Sequence, residues 1–227
     1  NAFLFEGKPL LPKAATPMTA SLTKISYSSS PGARVHFYNR EDWSTILAAA
    51  ENYDKALRSA YNDYCQRMER ATVGQPEAMY FSTNCKTLEE YEQDLFKCPS
   101  EIQRGAKELV RMAAQNPTIE EKLGKVDTLC GNAMEVLNDY VGANGTYTPI
   151  VSYVELLSDR PELRDLEIVD TPGLNDPIVS RGIVTKQFLR SCDVVLLLSP
   201  CSQFMDAGTI TLMANSLPRA GVREAIV

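Results

Sequence analysis

The apolar run Leu166-Glu-Ile-Val169 ends in Asp170-Thr171-Pro172-Gly173-Leu174, the stretch of this chain best suited to chemistry. A carboxylate at the end of a strand can accept hydrogen bonds from water on a phosphate-bound Mg²⁺. A glycine three residues later lets the backbone approach closely, so its N–H can face a terminal phosphate with no Cβ in the way. Asp-x-x-Gly alone would equally describe a proline-glycine turn after a strand. The longer Asp-Thr-Pro-Gly-Leu favours the phosphate reading here. It follows an apolar strand, and a helix and a second apolar run come after it.

Other chemistries are narrowed by what the chain lacks. His36 is the only histidine. A Ser-His-Asp triad would have to use it, and a His-rich metal site is excluded. The six cysteines, at 65, 85, 98, 130, 192 and 201, stand singly with no CxxC pair. They read as reduced cytosolic thiols, mostly inert and buried, not as a disulfide framework or a zinc site. A formal net charge of −6 argues against sequence-independent nucleic-acid binding, which needs a basic field. No run of about 18 apolar residues signals a membrane-spanning helix. With 227 residues, 44% hydrophobic and 23% charged, the composition is that of a soluble globular protein able to bury a full core.

The elements that must position Asp170 can be read from periodicity. Residues 7–19 form a proline-punctuated loop. Residues 20–27 and 33–38 alternate apolar and polar positions around the turn Ser28-Ser-Ser-Pro-Gly32, which predicts a β-hairpin. From Glu41 to about Ala71 the period is 3.6, with Trp43, Ile46, Leu47, Ala50, Tyr53, Leu57, Tyr61, Tyr64 and Met68 on one face. A short helix is expected around Leu88–Leu95. Pro99 and Pro117 suit first helical turns, Asn116 being a fitting cap before the second. Helical spacing continues through Ile102, Ala106, Leu109, Ala113, Ile119, Leu123, Val126, Cys130, Ala133, Leu137 and Tyr140, so about 41–141 is expected to be nearly all α. Strands are expected at 150–157 and 166–169, a helix at 182–191, and a buried central parallel strand at 194–198. A helix at 206–216 and a strand at 224 follow. This order predicts an α/β fold with a doubly wound, mostly parallel sheet, an antiparallel hairpin and a large helical insertion.

Several segments together resemble bacterial dynamin-like GTPases. Asp170–Leu174 is similar to the switch II signature of GTPases. Asn1-Ala-Phe-Leu4 looks like the helix that leaves a Gly-x-x-x-x-Gly-Lys-Ser loop. Leu11-Pro12 and Pro17-Met18-Thr19-Ala20 look like that family's switch I. Asp193–Pro200, Gln203–Asp206 and Leu217-Pro218 are similar to the stretch before its guanine-reading loop. The resemblance covers about 1–40 and 145–227 and implies a P-loop GTPase-type core there, with 41–144 a helical insertion within or beside it. It places the phosphate-binding loop before Asn1 and the base-reading loop after Val227, so the expectation is a part of a longer domain that binds nucleotide poorly alone.

The same resemblance implies the site. Thr19 and Gly173 would serve catalysis, Asp170, Thr171, Pro172 and Gly173 would line the nucleotide, and Thr19 and Asp170 would hold Mg²⁺. Thr19 opening a strand is the ordinary alternative, and Thr16 is a rival. Leu174 does not supply the side chain that orients water in small GTPases, so P-loop side chains and a monovalent cation are the implied substitutes. Implied partners are GTP and GDP, a second GTPase domain in self-association, and membrane lipid through regions outside this chain, with no nucleic acid. The implied place is cytoplasmic and peripheral to membrane. A non-hydrolysing nucleotide-gated scaffold and another P-loop GTPase, septin-like or of ribosome assembly, stay open. The remaining features take ordinary readings. The tyrosine face of 41–71 is interhelical packing, His36 is exposed, and Glu89, Glu90, Glu92 and Asp94 form a solvated helix face. Cys192 and Cys201 are small core residues.

Overall fold

The computed structural model describes residues 22–72, 85–98, 100–130, 136–142, 145–171, 188, 191–197, 210, 213–214 and 224–226. Strand β1 (Leu22–Tyr27) and strand β2 (Gly32–Phe37) lead into the long helix α1 (Arg40–Thr72). Helices α2 (Leu88–Asp94) and α3 (Glu101–Ala113) follow, then a 3-10 turn at Ile119–Lys122. Strand β3 (Val126–Leu129), the short helix α4 (Asn138–Val141), β4 (Val151–Ser158) and β5 (Ile168–Asp170) come next. The last elements are β6 (Val194–Leu196) and β7 (Glu224–Ile226).

Strands one to five form one sheet in the order β3-β2-β4-β1-β5, while β6 and β7 pair in parallel as a second sheet. The α/β class holds, and the described pairings make a mixed sheet instead of a mostly parallel one. β1 and β4 run parallel, while β1–β5, β2–β4 and β2–β3 are antiparallel. The hairpin expectation needs correction. β1 and β2 do reverse direction, but β4 lies between them, pairing Ile25 and Ala33 with the same Leu156. Alternation marks a strand and a reversal, not adjacency. The connection Ser28–Pro31 is long enough to cross one intervening strand, a span of about 10 Å. β4 buries Val151, Val154 and Leu156, so it gains from a neighbour on either side.

Helix α1 forms where the 3.6 period says. The Asn39 side-chain oxygen accepts from the Asp42 amide at 2.7 Å, and Glu41 and Asp42 lie in its first turn, where the helix dipole favours anions. Its buried stripe is Trp43, Ile46, Ala50, Tyr53 and Leu57. The first three join the core shared with the sheet and with Ala106, Leu109 and Ala113 of α3; Tyr53 and Leu57 form a second cluster with Tyr91 of α2. The helices α1 and α3 pack antiparallel. Trp43 and Leu47 line one cavity with Val110 and Ala113, while Asp54, further along α1, takes a hydrogen bond from Lys107 at 2.7 Å. Each such buried side chain contributes roughly 1.5–3 kcal/mol, which is why the stripe is covered and not left to solvent.

Three further expectations are corrected. Residues 126–129 are strand, not helix. Gly124 turns the chain at φ 75°, which a glycine adopts freely, and Val126–His36 pairing then seats β3 on the free side of β2. The first turn of α3 begins at Glu101 behind the cap Ser100, whose hydroxyl accepts from the Gln103 amide, and Pro99 lies outside the described residues. Ile102 and Leu166 are 49% exposed, outside the faces expected for them. Val194 and Leu196 are likewise half exposed, so the described part of β6 is not a buried central strand. The expected helices at 182–191 and 206–216 lie largely outside the described residues.

Candidate phosphate-binding site

Asp170 closes the three-residue strand β5, which pairs with β1. The register sets Thr23 opposite Asp170 and Ile25 opposite Ile168. Antiparallel pairing brings the start of β1 and the end of β5 to the same end of the sheet. The first residues of β1 and the last of β5 therefore lie side by side, about 5 Å apart across the ladder. Thr23 shares its face with Val154 of β4 and with Asp170, since paired positions point the same way. Thr171, half-buried, is the next residue after the strand. Thr19, Pro172, Gly173 and the rival Thr16 lie outside the described residues, so the two segments meet here only through Leu22–Thr23 and Asp170–Thr171.

The carboxyl group of Asp170 is half-buried, and desolvation pushes its pKa above the ordinary carboxylate value. Among the described residues no hydrogen bond or ion pair of its side chain offsets that cost. A desolvated carboxylate at a strand end, next to a backbone about to turn, is suited to a hydrated hard cation, which would stabilise its ionised form. The described residues hold no group of three or more His, Cys, Asp or Glu able to enclose a metal by themselves.

On the other face of the sheet the neighbouring register positions carry charge. Glu155 of β4 is a half-buried hub, 3.1 Å from Arg34, 3.8 Å from Lys24 and 3.9 Å from His36. Lys24 also reaches Glu167, just before β5, at 2.8 Å, and that hydrogen bond is the main reason its pKa is raised. His36 is not exposed, as the alternation suggested. It stacks on Tyr153 with ring centroids 4.1 Å apart, its Nε2 is buried without a hydrogen bond, and desolvation lowers its pKa. Tyr153 in turn meets Phe188 edge-on at 5.3 Å. Sequence reading missed this hub, although Lys24, Arg34, His36 and Glu155 all sit at polar positions of alternating strands. The acidic group of α2 is also more than a solvated face. Glu90 completes a capping box with Thr87, and Glu92 accepts from Tyr53 of α1 at 2.8 Å and pairs with Arg111 of α3. The described cysteines are free but not buried. Cys130 is exposed and the other four are half-buried; Cys201 lies outside the described residues.

The sequence model of the dynamin family matches residues 4–227. The chain is 23% identical over 212 residues to Dynamin-like protein 1 of Campylobacter jejuni subsp. jejuni serotype O:23/36 (strain 81-176), covering 93% of this chain and 22% of that protein. Among solved structures, an oligomerised bacterial dynamin pair, described as a mechanism for long range sensing and tethering of membranes, superposes with a TM-score of 0.51 at 21% identity. That match covers 95% of this chain and 23% of the other. The chain thus spans less than a quarter of the length of these relatives.

Proposed function

The chain belongs to the dynamin family, with the α/β fold of its GTPase domain, and from that premise we propose that it is part of an enzyme hydrolysing GTP with Mg²⁺. In this reading nucleotide state is coupled to self-association through the GTPase domain and to membrane remodelling. Residues 1–40 and 145–227 belong to the GTPase core, and 41–144 is the helical insertion, joined to the sheet by β3. The observation that supports the proposal is the Thr23–Asp170 register, which sets the start of β1 and the end of β5 at one end of the sheet.

Each residue has a separate task. Asp170 accepts hydrogen bonds from cation-bound water and so fixes where the cation sits. Thr171 and Pro172 hold the backbone turn, and the Gly173 N–H faces the terminal phosphate. Thr19 adds a hydroxyl to the cation shell and holds the attacking water when its loop closes. Mg²⁺ held by Asp170 and Thr19 would supply charge neutralisation for phosphoryl transfer. The protein's contribution is positioning and electrostatic stabilisation, with no covalent intermediate on the chain. A monovalent cation would take the role that Leu174 cannot fill, and Leu174 is also the residue that favours the second reading, a nucleotide-gated scaffold that does not hydrolyse.

No described helix is long and apolar enough to cross a membrane. In the proposed reading the protein is cytoplasmic and peripheral to a membrane, with lipid contact made by regions outside this chain. The test is phosphate release by the full-length protein from GTP and from ATP, with Mg²⁺ or with a chelator. Release from GTP alone, lost on chelation, supports the enzyme. Tight GTP binding without release would support the scaffold.

A further inference from the structure

Strand β5 carries Asp170 on little backbone. It has three residues, Ile168–Asp170, and among the described residues it is the last strand of its sheet, paired with β1 alone. Its ladder rests on three register pairs, Ile25–Ile168, Lys24–Val169 and Thr23–Asp170. A slip of two residues would keep every side chain on its own face and move Asp170 about 7 Å along β1, away from Thr23. So short a strand needs a second restraint to hold one register. Lys24 supplies it. Its Nζ reaches the diagonal position Glu167, two residues before its own ladder partner Val169, at 2.8 Å from Oε2. On its other side Lys24 lies 3.8 Å from Glu155 of β4, which Arg34 of β2 also holds, at 3.1 Å. Farther back along β1 the Arg164 guanidinium stands 5.3 Å from the centre of the Tyr27 ring, and Leu163 is buried. The connection from β4 is therefore anchored on β1 before it reaches Glu167.

We propose that Lys24 is a positioning residue for Asp170, holding β5 through Glu167 in the register that sets Asp170 opposite Thr23. Lys24 follows Thr23 and so lies on the opposite face of the sheet from Asp170, and it acts on the site through strand alignment, not by contact. The register claim stands on the ion pair, and its consequence for a cation rests on the GTPase reading. The Glu167 side chain is half exposed, and an ion pair of this kind shifts an equilibrium by roughly two- to five-fold. That is too little to hold up a domain, but it can bias the alignment of a three-residue strand. Removing the Lys24 charge leaves Glu155 with Arg34 and Glu167 with water, so no buried charge is stranded.

The test compares the full-length wild type, Lys24→Met and Lys24→Arg by hydrogen–deuterium exchange without nucleotide, read peptide by peptide. In Lys24→Met the amides of 166–170 should exchange about two- to five-fold faster, while those of α1 and β2 keep wild-type rates. Lys24→Arg, which keeps the charge, should match wild type. In GTP hydrolysis by the same proteins, Lys24→Met should need more Mg²⁺ for half-maximal phosphate release, by no more than the same factor. Its kcat at saturating Mg²⁺ should be unchanged, because the cation selects the aligned register. Equal exchange at 166–170 in Lys24→Met and wild type would overturn the proposal, and so would faster exchange with an unaltered Mg²⁺ requirement. A wild type that releases no phosphate would defeat the GTPase reading instead, and the exchange comparison would still decide the register claim.

Discussion

Thr23 of β1 lies directly opposite Asp170 of β5. Because the strands are antiparallel, the chain entering β1 and the chain leaving β5 share one end of the sheet. Thr19 is four residues upstream of Thr23, within about 13 Å even along extended chain. Gly173 is three residues beyond Asp170. In the proposed reading, a hydroxyl and a backbone N–H on these two segments would reach a common phosphate, a reading that strands paired in the other direction would not support.

Asp170 should trade stability for function. Burial raises its pKa in the folded protein, so its favourable contribution is present below the ordinary Asp value and is lost as pH rises through the raised value. At neutral pH, without a cation, the ionised carboxylate opposes folding. Asp170→Asn in the full-length protein should unfold at the same temperature as wild type or higher at pH 7 without Mg²⁺, by thermal denaturation. A clear drop in Tm would show that the carboxylate is compensated.

His36 carries the opposite sign. Desolvation on its stack with Tyr153 lowers its pKa, despite Glu155 nearby, so the stability it contributes is present above the ordinary histidine value of about 6.5 and is lost as pH falls through the lowered value. Wild type should lose stability between neutral pH and the lowered pKa, and His36→Phe should flatten that slope. Denaturant melts at several pH values measure it, and equal slopes in both proteins would contradict the assignment.

The helical block should depend on its buried stripe and on one polar junction. Leu57→Ala, at a position 4% exposed, should cost about 2–5 kcal/mol by equilibrium denaturation. Glu92→Ala strands the Tyr53 hydroxyl and Arg111 and should cost about 1–3 kcal/mol, with Glu92→Gln costing less because it keeps an acceptor. Equal losses for the two Glu92 variants would mean that charge, not hydrogen bonding, holds the junction.

The parts of this fold legible from sequence are those with long periods. Helix α1 could be read from Trp43 to Leu57 because five buried positions repeat at helical spacing over several turns. The strand β3 could not, since Val126 happened to continue the phase of Ile119 and Leu123, and only the left-handed turn at Gly124 separates them. The placement of β4 between β1 and β2 was hidden because side-chain alternation carries no information about which strand is the neighbour. The residue types of the candidate site, Asp170 through Gly173, were plain. Their partner strand was not, because a three-residue strand offers too few positions to fix a register. The Glu155 hub was missed for the same reason, as it exists only once three strands are in register.

The central claim, that the Thr19 and Asp170–Gly173 segments form one cation-assisted phosphate site, is tested most directly by steady-state GTP hydrolysis of the full-length protein and two variants. Asp170→Ala should abolish Mg²⁺-dependent phosphate release. Thr19→Ala should lower kcat by about 10²-fold or more while changing nucleotide affinity far less, because its contact is made mainly in the closed state. Turnover at the wild-type rate in both variants would contradict the account.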